Sequence, residues 1–165
     1  MKRLTLIRHA KSGGATPGLA DFDRPLNERG LEDALRVGNL LAAEGFLPDA
    51  FVSSPALRAL TTAQRIARQV GFDPAAIDES PDIYEAPPQR IAAVIRALPD
   101  SVEHAVVFGH NPGIGLLAEA LLFRDEIDGF PTCAVCDLRL LPDSWAALDH
   151  DVAELLSFRS PKTWD

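Results

Sequence analysis

The sequence predicts an α/β protein in which helices cover both faces of a mostly parallel sheet. Short apolar runs alternate with segments of helical periodicity along the chain, and strands that are separated by helices form sheets of this kind. The length of 165 residues is close to the usual size of one domain and is sufficient to bury a sound core. We therefore expect a single domain over residues 1–165.

The first strand and the first helix are predicted near the beginning of the chain. Residues 4–7 form a short, mainly apolar run rich in branched side chains, which is typical of a buried strand. The glycine-rich stretch 12–18 indicates a loop. Asn27 has a side chain suited to an N-cap, and apolar residues at helical spacing follow it until Gly45. The first helix is therefore expected between these two positions.

A second strand and helix follow directly. Residues 50–52 form another short apolar run, and the Ser-Ser-Pro sequence at 53–55 comes next. This sequence predicts an N-cap with proline at the first helical position. The helix is expected to continue to about Val70, where Gly71 ends it.

The second half of the chain continues the alternation of strands and helices. The expected elements are a weaker extended stretch at 77–84, a helix at 88–98, a strand at 105–109, a helix at 114–122, and strands near 132–141 and 152–158.

Composition and charge exclude several classes of function. The net charge of −8 disfavours binding to nucleic acid and to anionic membranes. No stretch approaches the roughly 20 apolar residues of a membrane span, and the first apolar run is too short for a secretory signal. We expect a cytoplasmic protein. Cys133 and Cys136 lie in an alternating, strand-like segment, which favours a structural role over redox chemistry or zinc binding.

Three predicted strands lead to residues that are suited to phosphate chemistry. The first strand ends in Arg8-His9, the second leads to Arg58 in the opening turn of a helix, and the strand at 105–109 is followed by His110. In a parallel sheet these ends share one edge, where α/β proteins bind ligands. Guanidinium groups fit phosphate oxygens, and imidazole attacks or relays protons near neutral pH. Taken singly, the alternatives are a solvated helix residue for Arg58 and a helix cap with a satisfied ring for His110.

Four segments form specific motifs, and three of them carry these residues. They are Leu-Ile-Arg-His-Ala-Lys-Ser at 6–12, Asp-Arg-Pro-Leu-Asn-Glu-Arg-Gly at 23–30, Ser-Ser-Pro-Ala-Leu-Arg-Ala at 53–59 and Val-Phe-Gly-His-Asn-Pro at 107–112. Together they resemble the histidine phosphatase superfamily, and most closely its small SixA-type phosphohistidine phosphatases. The departure is Ala10, where many members of the superfamily carry glycine. The resemblance implies a phosphoglycerate mutase-like fold, a three-layer α/β/α sandwich whose six-stranded, mostly parallel sheet has one antiparallel strand.

The resemblance also implies roles for the central residues. His9 is the expected nucleophile, which becomes transiently phosphorylated before water releases phosphate. Arg8, Arg58 and His110 are expected to hold the phosphate oxygens and to stabilise the transition state. No metal or other cofactor is expected, because the chain shows no convincing carboxylate cluster for catalytic magnesium.

Two further residues are predicted to take part. Glu85 resembles the position at which many superfamily members place an acidic residue, and it is the expected proton donor for the leaving group. Arg24 is expected to contact the substrate. The alternatives are a solvated loop carboxylate for Glu85 and a structural ion pair for Arg24.

The substrate class is inferred from the short connections around the predicted site. Larger superfamily members insert capping segments there, so we expect no cap domain and an open pocket. An open pocket admits a phosphorylated side chain of another protein, and phosphohistidine in a signalling or phosphotransfer protein is the leading hypothesis. The alternatives are a general phosphatase of small phosphoesters, a mutase, and a noncatalytic phosphate-binding module.

Overall fold

The computed structural model describes residues 1–164 and consists of one sheet between two layers of helices. The strands are β1 (Arg3–Arg8), β2 (Ala50–Ser53), β3 (Asp78–Glu79), β4 (His104–Gly109), β5 (Val135–Leu140) and β6 (Ala153–Arg159). The helices are α1 (Glu28–Ala43), α2 (Leu57–Val70), α3 (Pro88–Arg96) and α4 (Gly113–Leu121).

The sheet has the strand order β3-β2-β4-β1-β5-β6. β1 pairs in parallel with β4, and β4 and β3 both pair in parallel with β2. β5 runs antiparallel to its two neighbours, β1 and β6. The prediction of a six-stranded, mostly parallel sheet with one antiparallel strand is therefore confirmed. β1 and β4 lie at the centre of the sheet, so each of them is hydrogen-bonded to a neighbouring strand on both sides.

Alternation along the central strands divides the core between the two faces of the sheet. Leu6 of β1 and Val107 of β4 belong to the apolar cluster that includes residues of α3 and α4. Ile7 and Phe108, one position further along each strand, belong to the cluster that includes residues of α1 and α2. Because successive side chains of a strand point to opposite faces, a continuous apolar run serves a sheet that is covered on both sides.

The ends of α1 agree with the prediction, whereas the beginning of α2 does not. Asn27 caps α1 by accepting a hydrogen bond from the amide of Gly30 at 2.8 Å. α2 begins at Leu57 and not at Pro55, with Ala56 as its N-cap. The reason is that residues 54–56 form a tight turn, in which the hydroxyl of Ser54 accepts a hydrogen bond from the amide of Ala56 at 3.2 Å. The end at Gly71, with a φ of 81°, is as predicted.

Two predicted strands are shorter than expected. The extended stretch at 77–84 contains only the two residues of β3, and a 3-10 turn over Pro81–Ile83 follows it. β5 begins at Val135 and not near residue 132, because Cys133 adopts a positive φ of 60° that interrupts the extended backbone. The other elements lie within a few residues of the expected positions. Among residues 1–164, no helix has the length and apolar character needed to cross a membrane.

Candidate active site

The parallel pairing of β1 and β4 brings the two predicted histidines together. Arg8 pairs with Gly109 at the ends of these strands, and the amide of His9 donates to the carbonyl of Gly109 at 3.1 Å. His110 follows directly, so that the centroids of the His9 and His110 rings lie 5.2 Å apart with their planes inclined by 52°. Both residues are buried, with exposed fractions of 7% and 6%.

His9 is held as a neutral ring with one free nitrogen. Its Nδ1 lies 2.7 Å from the carbonyl oxygen of Ala10, and since a carbonyl only accepts hydrogen bonds, Nδ1 carries the proton. Nε2 therefore keeps its lone pair. Burial, together with the positive charges of Arg8 and Arg58, lowers the pKa of His9 to about 4 against the opposing effect of the Ala10 carbonyl. The ring is neutral at pH 7 and can act as a nucleophile.

His110 is anchored by the turn that precedes α2. Its Nε2 lies 2.8 Å from the hydroxyl of Ser54, which is fully buried. Its Nδ1 is buried and has no hydrogen-bond partner among the described residues. Burial is the main reason why the pKa of His110 falls to about 3, followed by the charges of the neighbouring His9 and Arg58.

The two arginines also leave buried donors without partners. Arg8 donates from Nη1 to the carbonyl of Phe130 at 3.0 Å, while its Nε is buried and unpaired in the described part of the chain. Arg58 uses its terminal nitrogens on Asp21, and its Nε is likewise unpaired there. Burial and the nearby charge of Arg58 lower the pKa of Arg8.

Three unpaired polar nitrogens thus belong to residues of one small region, Arg8, Arg58 and His110. Buried polar groups are nearly always hydrogen-bonded in native proteins, and a tetrahedral oxyanion presents enough acceptor oxygens to satisfy all three. The positive charge beside a neutral histidine is also what phosphoryl transfer requires. The arrangement is suited to binding phosphate next to Nε2 of His9.

Arg24 lies at the rim of this region and takes part in an ion pair. Its Nε donates to the carboxylate of Asp21 at 2.9 Å, and its Nη1 donates to the hydroxyl of Ser12 at 3.0 Å and to the carbonyl of Gly13. The structural ion pair considered for Arg24 is therefore present. Arg24 is also close enough to contribute to the lowered pKa of His9.

Glu85 is exposed and has a positive φ of 50°. Its side chain makes no hydrogen bond to any residue in the range 1–164 that the structure describes. The ring of the preceding residue, Tyr84, lies edge-on to His110 with centroids 5.6 Å apart, which places Glu85 near the edge of the site. The structure does not bring its carboxylate into contact with His9, and its role as proton donor stays a prediction.

Asp21 and Tyr84 are residues of the site that the sequence interpretation did not identify. Asp21 lies in a 3-10 turn over Asp21–Asp23 and binds Arg24, Arg58 and Tyr84. A signal was present, since two carboxylates precede Arg24 in the Asp-Phe-Asp-Arg segment. The sequence does not show which of them turns toward the site, because that depends on the conformation of the loop.

The two cysteines lie apart from this chemistry. Both are buried and free, and burial raises the pKa of Cys136 to about 12 and that of Cys133 further. Thiols of this kind are unreactive near neutral pH. Within residues 1–164, no group of three or more His, Cys, Asp or Glu side chains is arranged to hold a metal ion.

Comparison with known proteins places this geometry in a family. The profile described as histidine phosphatase superfamily (branch 1) matches residues 4–87. An uncharacterized protein of Mycobacterium tuberculosis is 34% identical in an alignment that covers 94% of this chain and all of that protein.

Solved structures share the fold over nearly the whole chain. A protein of Agrobacterium tumefaciens, provisionally assigned as the phosphohistidine phosphatase SixA, is 33% identical with a TM-score of 0.82, covering 97% of this chain and 98% of that one. The protein histidine phosphatase SixA complexed with tungstate is 20% identical and matches in fold with a TM-score of 0.83 over 97% of each chain. The present chain therefore belongs to the histidine phosphatase superfamily, branch 1, and is a phosphatase of the SixA-type fold.

Proposed function

We propose that this protein removes phosphate from phosphohistidine in a signalling or phosphotransfer protein, through a covalent intermediate on His9. The observation that carries the proposal is the neutral, buried ring of His9, which lies 5.2 Å from the ring of His110 and close enough to Arg8 and Arg58 for their charges to lower its pKa. Within residues 1–164, Arg8, Arg58 and His110 each keep one unpaired buried nitrogen. The provisional assignment of the similar Agrobacterium tumefaciens protein as a phosphohistidine phosphatase supports the same substrate class.

In the first step the lone pair of His9 Nε2 attacks phosphorus in line with the leaving imidazole. The new P–N bond forms as the P–N bond of the substrate breaks, and the departing nitrogen keeps the electron pair and takes up a proton. Arg8, Arg58 and His110 hold the three equatorial oxygens, and this fixed positive environment stabilises the transition state. The Nδ1–H of His9 stays on the carbonyl of Ala10, where the hydrogen bond strengthens as the phosphorylated ring gains positive charge.

In the second step water attacks the phosphorylated His9 from the open side of the site. The P–N bond breaks and its electron pair returns to Nε2. The water oxygen becomes the fourth oxygen of inorganic phosphate, and the proton that the water loses passes to solvent or to a nearby base. Glu85, at the rim, is the group that we propose to exchange protons with the leaving group and with water. A phosphoramidate leaves more easily than an alkoxide, so this assistance matters more for phosphoesters than for phosphohistidine.

The connections around the site support a protein substrate. Residues 9–27, 80–87 and 110–112 contain no helix longer than a single 3-10 turn, which supports a site without a cap domain. A phosphorylated side chain that projects from a folded protein can therefore reach His9. The same openness admits small phosphoesters, which makes a broad-specificity phosphomonoesterase the second candidate.

The test is a comparison of substrates at equal enzyme concentration. We expect kcat/KM for a histidine-phosphorylated phosphotransfer protein to exceed that for phosphosugars and for a phosphoserine peptide by at least about tenfold. His9→Ala should reduce hydrolysis by roughly 10⁴-fold, because the nucleophile is removed. His150→Ala, at an exposed position outside the site, should leave the rate unchanged.

Other results would identify the alternatives. Comparable rates on all three substrate types would favour the phosphomonoesterase, and near-normal activity of His9→Ala would show that another group is the nucleophile. Binding of phosphate by the wild-type protein without turnover of any substrate would indicate a noncatalytic module.

A further inference from the structure

We propose that Asp21 is a positioning residue that fixes Arg58 with its Nε edge toward the bound phosphate. The inference rests on the proposed function for the identity of the ligand, and it assigns a role to a residue outside the motifs that carry Arg8, His9, Arg58 and His110. Asp21 lies in the loop between β1 and α1, well after His9, which begins this loop, so the site depends on the path of the loop as well as on the strand ends.

The contacts of Asp21 join three separate parts of the chain. Its carboxylate accepts hydrogen bonds from the hydroxyl of Tyr84 at 2.7 Å, from Nε of Arg24 at 2.9 Å and from Nη2 of Arg58 at 3.1 Å. Its backbone carbonyl accepts a fourth from Nη1 of Arg58 at 2.8 Å. One residue therefore connects its own loop to α2 and to the loop before α3.

The two nitrogens of Arg58 that bind Asp21 define the orientation of the guanidinium group. Because Nη1 and Nη2 both face Asp21, the terminal edge of the planar fork is occupied, and the edge that contains Nε points elsewhere. That Nε is buried and unpaired within residues 1–164. A guanidinium group can bind one anion at each edge, so Asp21 and phosphate are compatible ligands of Arg58.

The environment of Asp21 keeps it negatively charged in the working range of pH. The hydrogen bond from Tyr84 is the largest influence and, with Arg24 and Arg58, lowers the pKa of Asp21 to about 2 against the effect of burial. An exposed ion pair usually contributes little, and the side chain of Asp21 is 43% exposed. Arg58, however, is only 6% exposed. Its two hydrogen bonds to Asp21 hold this long side chain in one conformation before the substrate binds, so that binding does not have to supply the free energy of ordering it.

A competing interpretation makes the opposite prediction. If the carboxylate of Asp21 occupied the place of a phosphate oxygen, it would have to leave before substrate bound, and its removal would improve phosphate binding. If Asp21 positions Arg58, its removal weakens phosphate binding. The sign of the effect distinguishes the two interpretations.

The experiment measures the binding of inorganic phosphate by calorimetry, together with kcat and KM for the phosphohistidine protein. Asp21→Ala is expected to weaken phosphate binding and to lower kcat/KM by about 10- to 100-fold, because a small misplacement of a charged group costs this much. Asp21→Asn keeps an acceptor oxygen and should fall between this variant and the wild type. Asp23→Ala is the matched control, since Asp23 is an exposed carboxylate of the same turn, and it should stay within about twofold of the wild type.

Two additional arms make the proposal falsifiable. In an Arg58→Lys background, which lacks the planar fork, Asp21→Ala should cause no further loss, because residues that act through one another are not additive. Unchanged or tighter phosphate binding by Asp21→Ala, or full additivity with Arg58→Lys, would overturn the proposal. The melting temperature of each variant identifies a general loss of folding.

The phosphate-binding arm separates this proposal from the proposed function. A wild-type protein that binds phosphate but does not hydrolyse phosphohistidine would contradict the proposed function and leave the role of Asp21 to be decided by the binding data. A wild-type protein that binds no phosphate would contradict both.

Discussion

The hydroxyl of Ser54 contacts Nε2 of His110 and therefore influences which nitrogen of that ring carries the proton. This oxygen accepts a hydrogen bond from the amide of Ala56 and lies 2.8 Å from Nε2 of His110, and we expect it to donate its own hydrogen to Nε2. The proton of the neutral ring is then on Nδ1, the atom without a partner among the described residues. An N–H at this point attracts a phosphate oxygen, whereas a lone pair would repel it.

Ser54→Ala tests this assignment. We expect kcat to fall by about tenfold or more with a smaller change in KM, since a donor aimed at the transition state loses its orientation. The free energy of unfolding should fall by about 1–3 kcal/mol, because a buried hydrogen bond is broken and its partners stay buried. Steady-state kinetics and urea denaturation measure the two effects.

Ser53→Ala is the matched control for this variant. Ser53 is buried next to Ser54, and its hydroxyl donates to the carbonyl of Ser54 at 2.9 Å without contacting His110. It should lose stability with little change in kcat. Equal effects of the two substitutions on kcat would contradict the assignment.

At the scale of the elements, α1 begins against the segment that carries the nucleophile. Gly30 lies in the first turn of α1, and a Cβ at this position would lie 2.0 Å from the carbonyl oxygen of Lys11. The same oxygen accepts the amide of Asn27 at 3.0 Å. The beginning of α1 therefore packs against the backbone of Lys11, two residues after His9, too closely to leave room for a Cβ at position 30.

Gly30→Ala should therefore destabilise the protein, although alanine is the better helix former by about 1 kcal/mol. We expect the free energy of unfolding to fall by about 1–3 kcal/mol, because either α1 or the backbone of Lys11 must move. Activity should fall as well, since Lys11 follows His9 closely. Gly13→Ala is the control, because a Cβ at Gly13 meets no atom within 4 Å. Equal stability of the two variants in urea denaturation would show that the contact relaxes without cost.

The elements that were predicted correctly are those with strong local signals. Asn27 and Gly45 bound α1 because capping depends on side chains close in sequence. The beginning of α2 was misplaced because the Ser54 hydroxyl accepts a hydrogen bond from the amide of Ala56 in a tight turn, at the place where the pattern predicted the N-cap of the helix. The predicted strand at 77–84 was too long because a 3-10 turn that begins at Pro81 ends it. The strand predicted from residue 132 began too early because the positive φ of Cys133 interrupts the extended backbone there.

At the scale of the whole molecule, the meeting of Arg8, His9 and His110 was predictable because parallel strands end on one edge of a sheet. Their side-by-side placement at the ends of β1 and β4 follows from that topology. The contact of Arg58 with Asp21 was not predictable in the same way. It depends on the path of the loop at residues 9–27. The sequence shows turn residues in this loop but does not show which of its side chains face α2.

The buried histidines also make the stability of the whole molecule depend on pH. Three of the four histidines, His9, His104 and His110, are buried, and burial lowers their pKa values to about 4, 4 and 3. His104 begins β4, at the opposite end of the strand from His110. It is hydrogen-bonded to Thr5 at 2.8 Å and packs edge-on to the ring of Phe46. In the unfolded chain each histidine titrates near its ordinary pKa of about 6.5.

The direction of the effect follows from proton linkage. Below about pH 6.5 the unfolded state binds protons that the native state does not, so the free energy of unfolding decreases as the pH falls toward 4. Each histidine contributes a slope of about 1 kcal/mol per pH unit in this window. Carboxylates with a lowered pKa, such as Asp21, reduce the free energy of unfolding mainly below the ordinary pKa of a carboxyl group, near 4. Urea denaturation between pH 6.5 and 5 therefore measures mainly the contribution of the histidines.

His104→Gln should reduce this slope by about one third, because one of three equivalent contributions is removed. The comparison uses the slope and not the absolute stability, since the substitution also alters the hydrogen bond to Thr5 and the neighbourhood of Arg3 and Asp137, which flank His104. His150→Gln, at an exposed position, should keep the wild-type slope. A slope unchanged in His104→Gln would mean that His104 accepts a proton in the folded protein as readily as in the unfolded chain, and that the hydrogen bond to Thr5 does not hold the ring neutral.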